Sequence, residues 1–263
     1  NKIKKGNILE IGSNDGSFLE NFKFNKYKPV GLEPAFSSHK IAKKKIISIN
    51  EYFDTNSSFN LKKKYESFEL IFSINTFAHI DGIKQNLKLV RSLLDERKKK
   101  ALFVFENIDI SSLVRKNNFS QLYDEHVYTL SANSINKICK EFNLVLFDIK
   151  KTSNQNGSYR YYIANSDIKQ KNSVKKIIQE ERIYFSRNVI KRFFKNIFSI
   201  KKRAKYFFTN KNNKIFGYGA SAKATFIANF LSLDKNCIKF IFDNSPYKIN
   251  KYLPGTKIKI KKE

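Results

Sequence analysis

Residues 8–33 read ILEIGSNDGSFLENFKFNKYKPVGLE, and their pattern decides the fold. An apolar run over 8–11 ends at Gly12, and a turn of small polar residues follows, Ser13, Asn14, Asp15 and Gly16. Phe18, Leu19 and Phe22 then recur at helical spacing, and a second apolar run over 29–32 stops on Glu33. Strand, glycine-bearing turn, helix and a strand ending on an acid make a mononucleotide-binding βαβ half. Gly12 lets the chain turn sharply and lets a ligand approach the backbone. The helix start offers unpaired N–H groups and positive potential. Glu33 follows Gly12 by 21 residues, where the acid of such a half meets ribose hydroxyls.

A dinucleotide fingerprint wants Gly-x-Gly-x-x-Gly. Here Asn14 holds the middle position, leaving E-x-G-x-x-x-G from Glu10 to Gly16. That spacing resembles motif I of class I S-adenosylmethionine (SAM) methyltransferases. Asp15 and Glu33 suit a cationic sulfonium and amino-acid ligand better than a pyrophosphate. The competing readings are an NAD site and a turn that holds no ligand.

The chain has 263 residues, 41% of them hydrophobic, enough for a core and for two domains of ordinary size. No apolar run is long enough to span a bilayer, and no signal-peptide pattern opens the chain. Methionine is absent, and the chain starts at Asn1, just before a core strand. It stops in a lysine-rich run at Glu263. These points lead us to expect a fragment open at both ends. The net charge of +28 raises the question of nucleic acid. Lys, Asn, Ile and Phe are inflated together, lysines are spread over nearly every segment, and Arg is scarce beside Lys. That pattern fits an AT-rich genome better than a phosphate-reading face. The two cysteines, Cys139 and Cys237, are far apart and form no metal-ligand pair, in keeping with a reduced cytosolic setting.

Further strands are expected over 45–49, 68–74 and 101–105, with helices through Ala42 and over 83–94, and a polar loop over 50–64. Five strands alternating with helices predict a doubly wound parallel sheet. Ligands sit beyond the carboxyl ends of its strands, where Gly12, Glu33, Asn75, Glu106 and Asn107 all fall. A helix pattern over 135–142 and strands over 144–149 and 160–164 follow, the strands flanking a turn-rich loop over 154–158. Residues 173–208 carry apolar positions at helical spacing and a basic opposite face. Such a helix can lie on a membrane, but we read it as a connector packed on a core. A second half begins with a strand over 214–216 and the turn Gly217-Tyr-Gly-Ala-Ser-Ala-Lys223. A helix over 224–231 and a strand over 238–242 ending on Asp243 complete it. This half either holds a nucleotide-bearing substrate or is structural. The expected domains are therefore 1–165, connecting helices over 166–212, and a second Rossmann-like α/β domain, truncated, over 213–263.

The chain has three histidines, His39, His79 and His126. His126 sits in QLYDEHVYTL (121–130), beside Tyr123, Asp124 and Glu125. A histidine there can remove a proton near neutral pH. Glu125 or Asp124 would orient it, and Tyr123 would hydrogen-bond a carbonyl or enolate oxygen. His79 follows a strand end and either lines the donor site or caps local structure.

ILEIGSNDGSFL, YKPVGLEPA, INTFAHI, LFVFEN, LYDEHVYTLS, NGSYRYYIA, GYGASAKAT and DNSPYKINKYLPGT occur in this order across almost the whole chain. Together they resemble the SAM-dependent sugar C-methyltransferases, which methylate a carbon of keto-deoxysugar nucleotides. The resemblance implies a class I methyltransferase domain followed by a Rossmann-like domain, with a zinc-binding domain ahead of Asn1. Zinc would belong to that domain, and no metal site is expected here. It implies SAM bound by Glu10, Gly12, Asn14, Asp15, Gly16, Glu33 and Asn75. A catalytic set of His126, Tyr123 and Glu125 corresponds to the family's Y-H-E-H, with Asp124 where the family has its first His. The family's G-G-S-L-R loop becomes Asn156-Gly-Ser-Tyr-Arg160, without the first Gly. Substrate-binding residues implied are Glu106, Asn107, Asn156, Ser158, Arg160, Tyr218 and Lys223. The expected partner is a nucleotide sugar in the cytoplasm. Transfer to another sugar position or to nucleic acid is the alternative.

Overall fold

The computed structural model describes residues 6–22, 27–95, 101–123, 125–154, 157–209 and 214–263. By internal contacts the chain divides into two units. The first holds the described residues up to Ser112 together with Val127–Ile183. The second holds Leu113–His126 and Tyr184–Glu263. This division differs from the expected one: residues 113–126, which carry the histidine cluster, group with the C-terminal unit, while residues 166–183 group with the first.

The first unit is built on β1 (Asn7–Ile11), α1 (Ser17–Glu20), β2 (Lys28–Leu32), α2 (Phe36–Ala42), β3 (Ile47–Ile49), α3 (Thr55–Tyr65), β4 (Leu70–Ile74), α4 (Ile83–Leu93), β5 (Leu102–Ile108), the part of α5 (Ile110–Arg115) up to Ser112, α6 (Ala132–Glu141), β6 (Leu144–Thr152), β7 (Ser158–Asn165) and α7 (Asn172–Tyr184) up to Ile183. The strand order is β3-β2-β1-β4-β5-β7-β6. The first five strands pair in parallel, and β7 runs antiparallel to both β5 and β6. The expected five-stranded parallel sheet is present, and the 144–165 hairpin extends it. Because β5 pairs with β7 as far as Ile108 opposite Ser158, Glu106 and Asn107 lie inside the strand rather than beyond its end.

Side chains alternate across the sheet. Leu9, Ile11, Val30, Leu32, Ile71, Phe103 and Phe105 join one core with Leu61, Leu87, Val90, Ile135 and Val174 from the helices. Ile8, Leu70 and Val104 face the other way, with Leu19, Ala42 and Ile46. Helices thus cover both faces, the reason the parallel strands are apolar throughout.

Residues 55–65, expected as loop, form α3. The helix rests on its cap, because only Ser57, Ser58 and Leu61 are buried on it. The Asp54 carboxylate accepts from Ser57 N at 2.8 Å, and Asp54 N donates to Ser57 Oγ at 3.0 Å. This reciprocal cap satisfies two orphan donors. Asp54→Ala is expected to lower unfolding free energy by about 1 kcal/mol, measurable by urea denaturation with an unchanged slope.

The second unit contains α8 (Arg187–Thr209), β8 (Gly217–Tyr218), α9 (Ala222–Phe230), β9 (Phe240–Phe242), β10 (Tyr252–Leu253) and β11 (Ile258–Lys261). Its sheet has the order β10-β11-β9-β8, with β8, β9 and β11 parallel. The first strand falls at 217–218 instead of 214–216, because pairing with Ile241 and Phe242 reaches only the glycine end. Leu113 and Val114 pack with Phe193 and Ile197 of α8. Phe119 meets Phe230 of α9 at 4.9 Å between ring centroids. These apolar contacts bind residues 113–126 to the second unit. Among the described residues no helix is long and apolar enough to cross a membrane.

Candidate active site

The turn after β1 is drawn tightly against β2. Gly12 N and Ser13 N both donate to Leu32 O, at 2.8 and 3.1 Å. Gly12 has φ +75° and Gly16 +77°, and Asn14 also lies in the left-handed region at +48°. A Cβ on Gly12 would stand 2.3 Å from Thr76 Oγ1, so conformation and close approach both require glycine. Gly31 is needed for the same crowding, since a Cβ there would meet Ser13 Oγ at 2.4 Å. Glu33 accepts from Asn14 N at 2.8 Å through one carboxylate oxygen and from Ala35 N at 2.8 Å through the other. The acid at the end of β2 therefore fixes the turn at the end of β1.

Glu10 is 4% exposed, and its Oε2 has no hydrogen-bond partner among the described residues. Burial, then the carboxylates of Glu33 and Asp15, push its carboxyl up to about 8. Ser13 Oγ, Ser73 Oγ of β4 and Asn75 Oδ1 are likewise buried without partners. Asn75 is left-handed at φ +53°, and its N–H donates to Glu106 O at 2.8 Å. Buried polar atoms without partners are uncommon and mark a place where something else bonds. These four atoms belong to β1, β4 and the turns that leave them. Asp15 does different work. It is half-buried, accepts from Ser17 N at 3.1 Å and from Ser17 Oγ at 2.8 Å, and lies 3.4 Å from Lys45 Nζ. The Ser17 bonds and then the Lys45 charge hold its carboxyl below the usual range.

Glu106 and Arg160, expected as separate ligand contacts, face each other across β5 and β7. Arg160 Nε and Nη2 reach Glu106 Oε2 at 2.9 and 2.8 Å. Asn154 and Thr152 also donate to Glu106 Oε1. Asn107 is buried, and in the amide orientation that satisfies both ends its oxygen accepts from Ala78 N at 3.0 Å. Ser158 Oγ donates to Asn154 O at 3.1 Å. Asn156 and Asp124 lie outside the described residues. His79 is exposed at the end of the 3₁₀ turn Phe77–His79, and its N–H donates to Thr76 O at 2.8 Å.

In the second unit, the Tyr123 and His126 rings pack against each other at 4.3 Å between centroids, tilted by 39°. His126 Nδ1 lies 2.8 Å from Gln121 O, and His126 N donates to Tyr123 O at 2.9 Å. A carbonyl only accepts, so Nδ1 carries the proton in that bond and Nε2 of the neutral ring carries the lone pair. A main-chain carbonyl thus holds the ring at Nδ1. Burial, then the Glu125 charge, raise the Tyr123 phenol above its ordinary value, keeping it a donor.

The second glycine turn repeats the first. Asp243 accepts from Ala220 N at 2.8 Å and from Ser245 N at 2.8 Å, as Glu33 accepts from Asn14 and Ala35. Asp243 stands at the end of the strand that follows the Gly219 turn, as Glu33 does after the Gly12 turn. Tyr218 is 71% exposed and donates to Glu263 Oε2 at 3.0 Å. Lys223 sits in the first turn of α9.

The family model described as "Methyltransferase domain" matches residues 1–148, and that described as "C-methyltransferase C-terminal domain" matches residues 153–263. The C-methyltransferase NovU of Streptomyces niveus is 24% identical over 264 residues, covering 96% of this chain and 61% of NovU. The chain therefore spans about three-fifths of that relative's length. Among solved structures, a possible histamine N-methyltransferase from Thermotoga maritima is 19% identical. It covers 61% of this chain and 82% of its own, at a TM-score of 0.46. Magnesium protoporphyrin IX methyltransferase from Synechocystis, solved with bound SAM, is 10% identical, covering 62% and 71% at 0.45. The first family match takes in more than half of the residues, and with the second continuing it to Glu263, the chain belongs to the methyltransferase-domain family.

Proposed function

We propose that the chain carries out SAM-dependent methyl transfer to a carbon of a keto-deoxysugar nucleotide. The observation that carries the SAM assignment is the set of buried, partnerless polar atoms around the Gly12 turn, above all Glu10 Oε2. A glycine cradle that a Cβ would fill and a buried acid without a counter-charge among the described residues fit a ligand bearing an ammonium and a sulfonium. Glu10, Ser13, Ser73 and Asn75 would hold it, and Glu33 would meet its ribose. Bound there, SAM supplies an electrophilic methyl group.

The carbon chemistry falls to the loop at 121–126. The keto group of the acceptor acidifies the neighbouring C–H. His126 takes that proton at Nε2, its Nδ1 proton being held by Gln121 O. The Tyr123 hydroxyl donates to the enolate oxygen as charge develops there. The enolate carbon then takes the methyl in line. Support for the carbon acceptor comes from NovU, named a C-methyltransferase, and from the C-terminal family match.

Titration calorimetry of the protein with SAM and, separately, with NAD tests the donor. SAM is expected to bind and NAD is not; the reverse would end the reading. The Glu10 carboxyl titrates near 8, so below that pH it is protonated in the free protein. A cationic ligand favours the carboxylate. Binding at pH 7 should therefore release close to one proton, and affinity should rise up to about pH 8 and then level. Calorimetry in buffers of different ionisation enthalpy reads the proton directly, and Glu10→Gln should abolish its release. Incubation with SAM and keto-sugar nucleotides should add the mass of one methyl, with loss of one C–H proton.

A further inference from the structure

Only one face of α8 is used by the fold. Phe193 and Ile197 are buried beside Leu113 and Val114, and Ala204 and Phe208 pack on the core of the C-terminal sheet. Two features mark the outer face. The helix carries eight basic residues and no acidic one, whereas α7 before it carries Glu180 and Glu181. Large aromatics stand among those charges: Phe194 is 53% and Phe198 62% exposed.

Arg187, Lys191, Phe194, Phe198, Lys202 and Lys205 follow one another at steps of three or four residues, so they lie along one side of the helix. All six are exposed. None of the four cations is paired with a carboxylate among the described residues. We infer that this side of α8 docks on the surface of an anionic lipid bilayer. Phe194 and Phe198 enter the headgroup boundary, and the surrounding cations rest on lipid phosphates. The inference goes beyond methyl transfer and does not depend on it.

An exposed aromatic side chain gains free energy wherever it leaves water. A lysine beside it can lay its apolar stem along the same boundary and keep its ammonium among the phosphates. Neither signal alone gives firm attachment, but an apolar anchor and a polybasic patch add. The inner face of α8 is already packed, so the helix meets the surface preformed and loses little further freedom on binding. Attachment is peripheral, since no described helix is long and apolar enough to span. Charge complementarity selects the occupant. A second copy carries the same net charge of +28 and is repelled. A single-stranded nucleic acid is held in a basic groove with stacking platforms, whereas the outside of a helix is convex. A duplex is read largely by the guanidinium fork, and three of these four cations are lysines.

The test is flotation of the protein with vesicles of phosphatidylglycerol and phosphatidylcholine in equal parts, and with phosphatidylcholine alone. Binding is expected to the first only and should weaken with salt. Lys191→Gln, Lys202→Gln and Lys205→Gln together should weaken it about a hundredfold. Phe194→Ser with Phe198→Ser should weaken it about tenfold or more. The chain has no tryptophan, so Phe198→Trp gives a single reporter. Its emission should shift to shorter wavelength on the anionic vesicles and be quenched by brominated acyl chains. Every variant lies on the exposed face and should keep the wild-type helix content and urea midpoint, which shows that it folds. No binding to anionic vesicles, equal binding to neutral ones, wild-type binding by the Phe double variant or an unquenched Trp would each overturn the inference. So would a single-stranded oligonucleotide that binds more tightly than the vesicles and is released by the same substitutions, or a dimer in sedimentation that the Phe double variant disperses.

Discussion

Arg160→Met is expected to lower the free energy of unfolding by about 3 kcal/mol, measured in urea at pH 7. Glu106 is fully buried, and Arg160 supplies its counter-charge through two hydrogen bonds. Breaking a buried pair leaves an uncompensated charge and costs roughly 3–5 kcal/mol. The lower end applies because Asn154 and Thr152 still donate to Glu106 and the Arg160 side chain is 40% exposed. The loss is carried by the buried carboxylate, so removing its charge should remove most of the loss. Glu106→Gln combined with Arg160→Met should recover most of the stability at pH 7, because the amide has no charge to leave unpaired. A double variant as unstable as Arg160→Met would show that packing, not charge, sets the cost.

That pair also shows where sequence reading stops. Glu106 and Arg160 were legible as polar residues near strand ends, which is the address of a ligand contact. Their antiparallel register, which sets them opposite each other, spans a sequence separation of 54 residues and depends on a hairpin that extends a parallel sheet. The Gly12 turn was legible because every constraint on it is local. Gly12, Asn14, Gly16 and Glu33 lie within one βαβ unit, and the turn allows few residue types. Helix α3 was missed because its cap, Asp54 with Ser57, is two residues in a polar run whose apolar periodicity is weak. The histidine cluster was legible as chemistry but not as architecture. Nothing in QLYDEHVYTL says that residues 113–126 join the C-terminal unit; that follows from Phe119 meeting Phe230 and Leu113 meeting Phe193, contacts between segments far apart in the chain.

His126→Asn is expected to lower kcat by about 10²- to 10⁴-fold, the range that a positioned general base contributes, while SAM affinity stays within twofold of wild type. Asparagine is the informative replacement. Its side-chain N–H can donate to Gln121 O as the imidazole Nδ1–H does at 2.8 Å, so the loop keeps its anchor and loses only the basic nitrogen. His126→Ala loses both and would leave a fall in rate open to two explanations. SAM affinity is expected to hold because the residues proposed to bind it, Glu10, Gly12, Ser13 and Asn75, belong to the first unit, whereas His126 belongs to the second. Tyr123→Phe should cost less, about 10²-fold, since it removes one donor to the enolate oxygen and leaves the proton acceptor in place. Exchange of the acceptor C–H with deuterium oxide, followed without SAM, separates the two roles. It should vanish in His126→Asn and persist, slowed, in Tyr123→Phe. If His126→Asn exchanges at the wild-type rate yet does not methylate, the proton is removed by another group and His126 acts after the enolate has formed. If it both exchanges and methylates normally, the loop is structural and the base must be sought elsewhere.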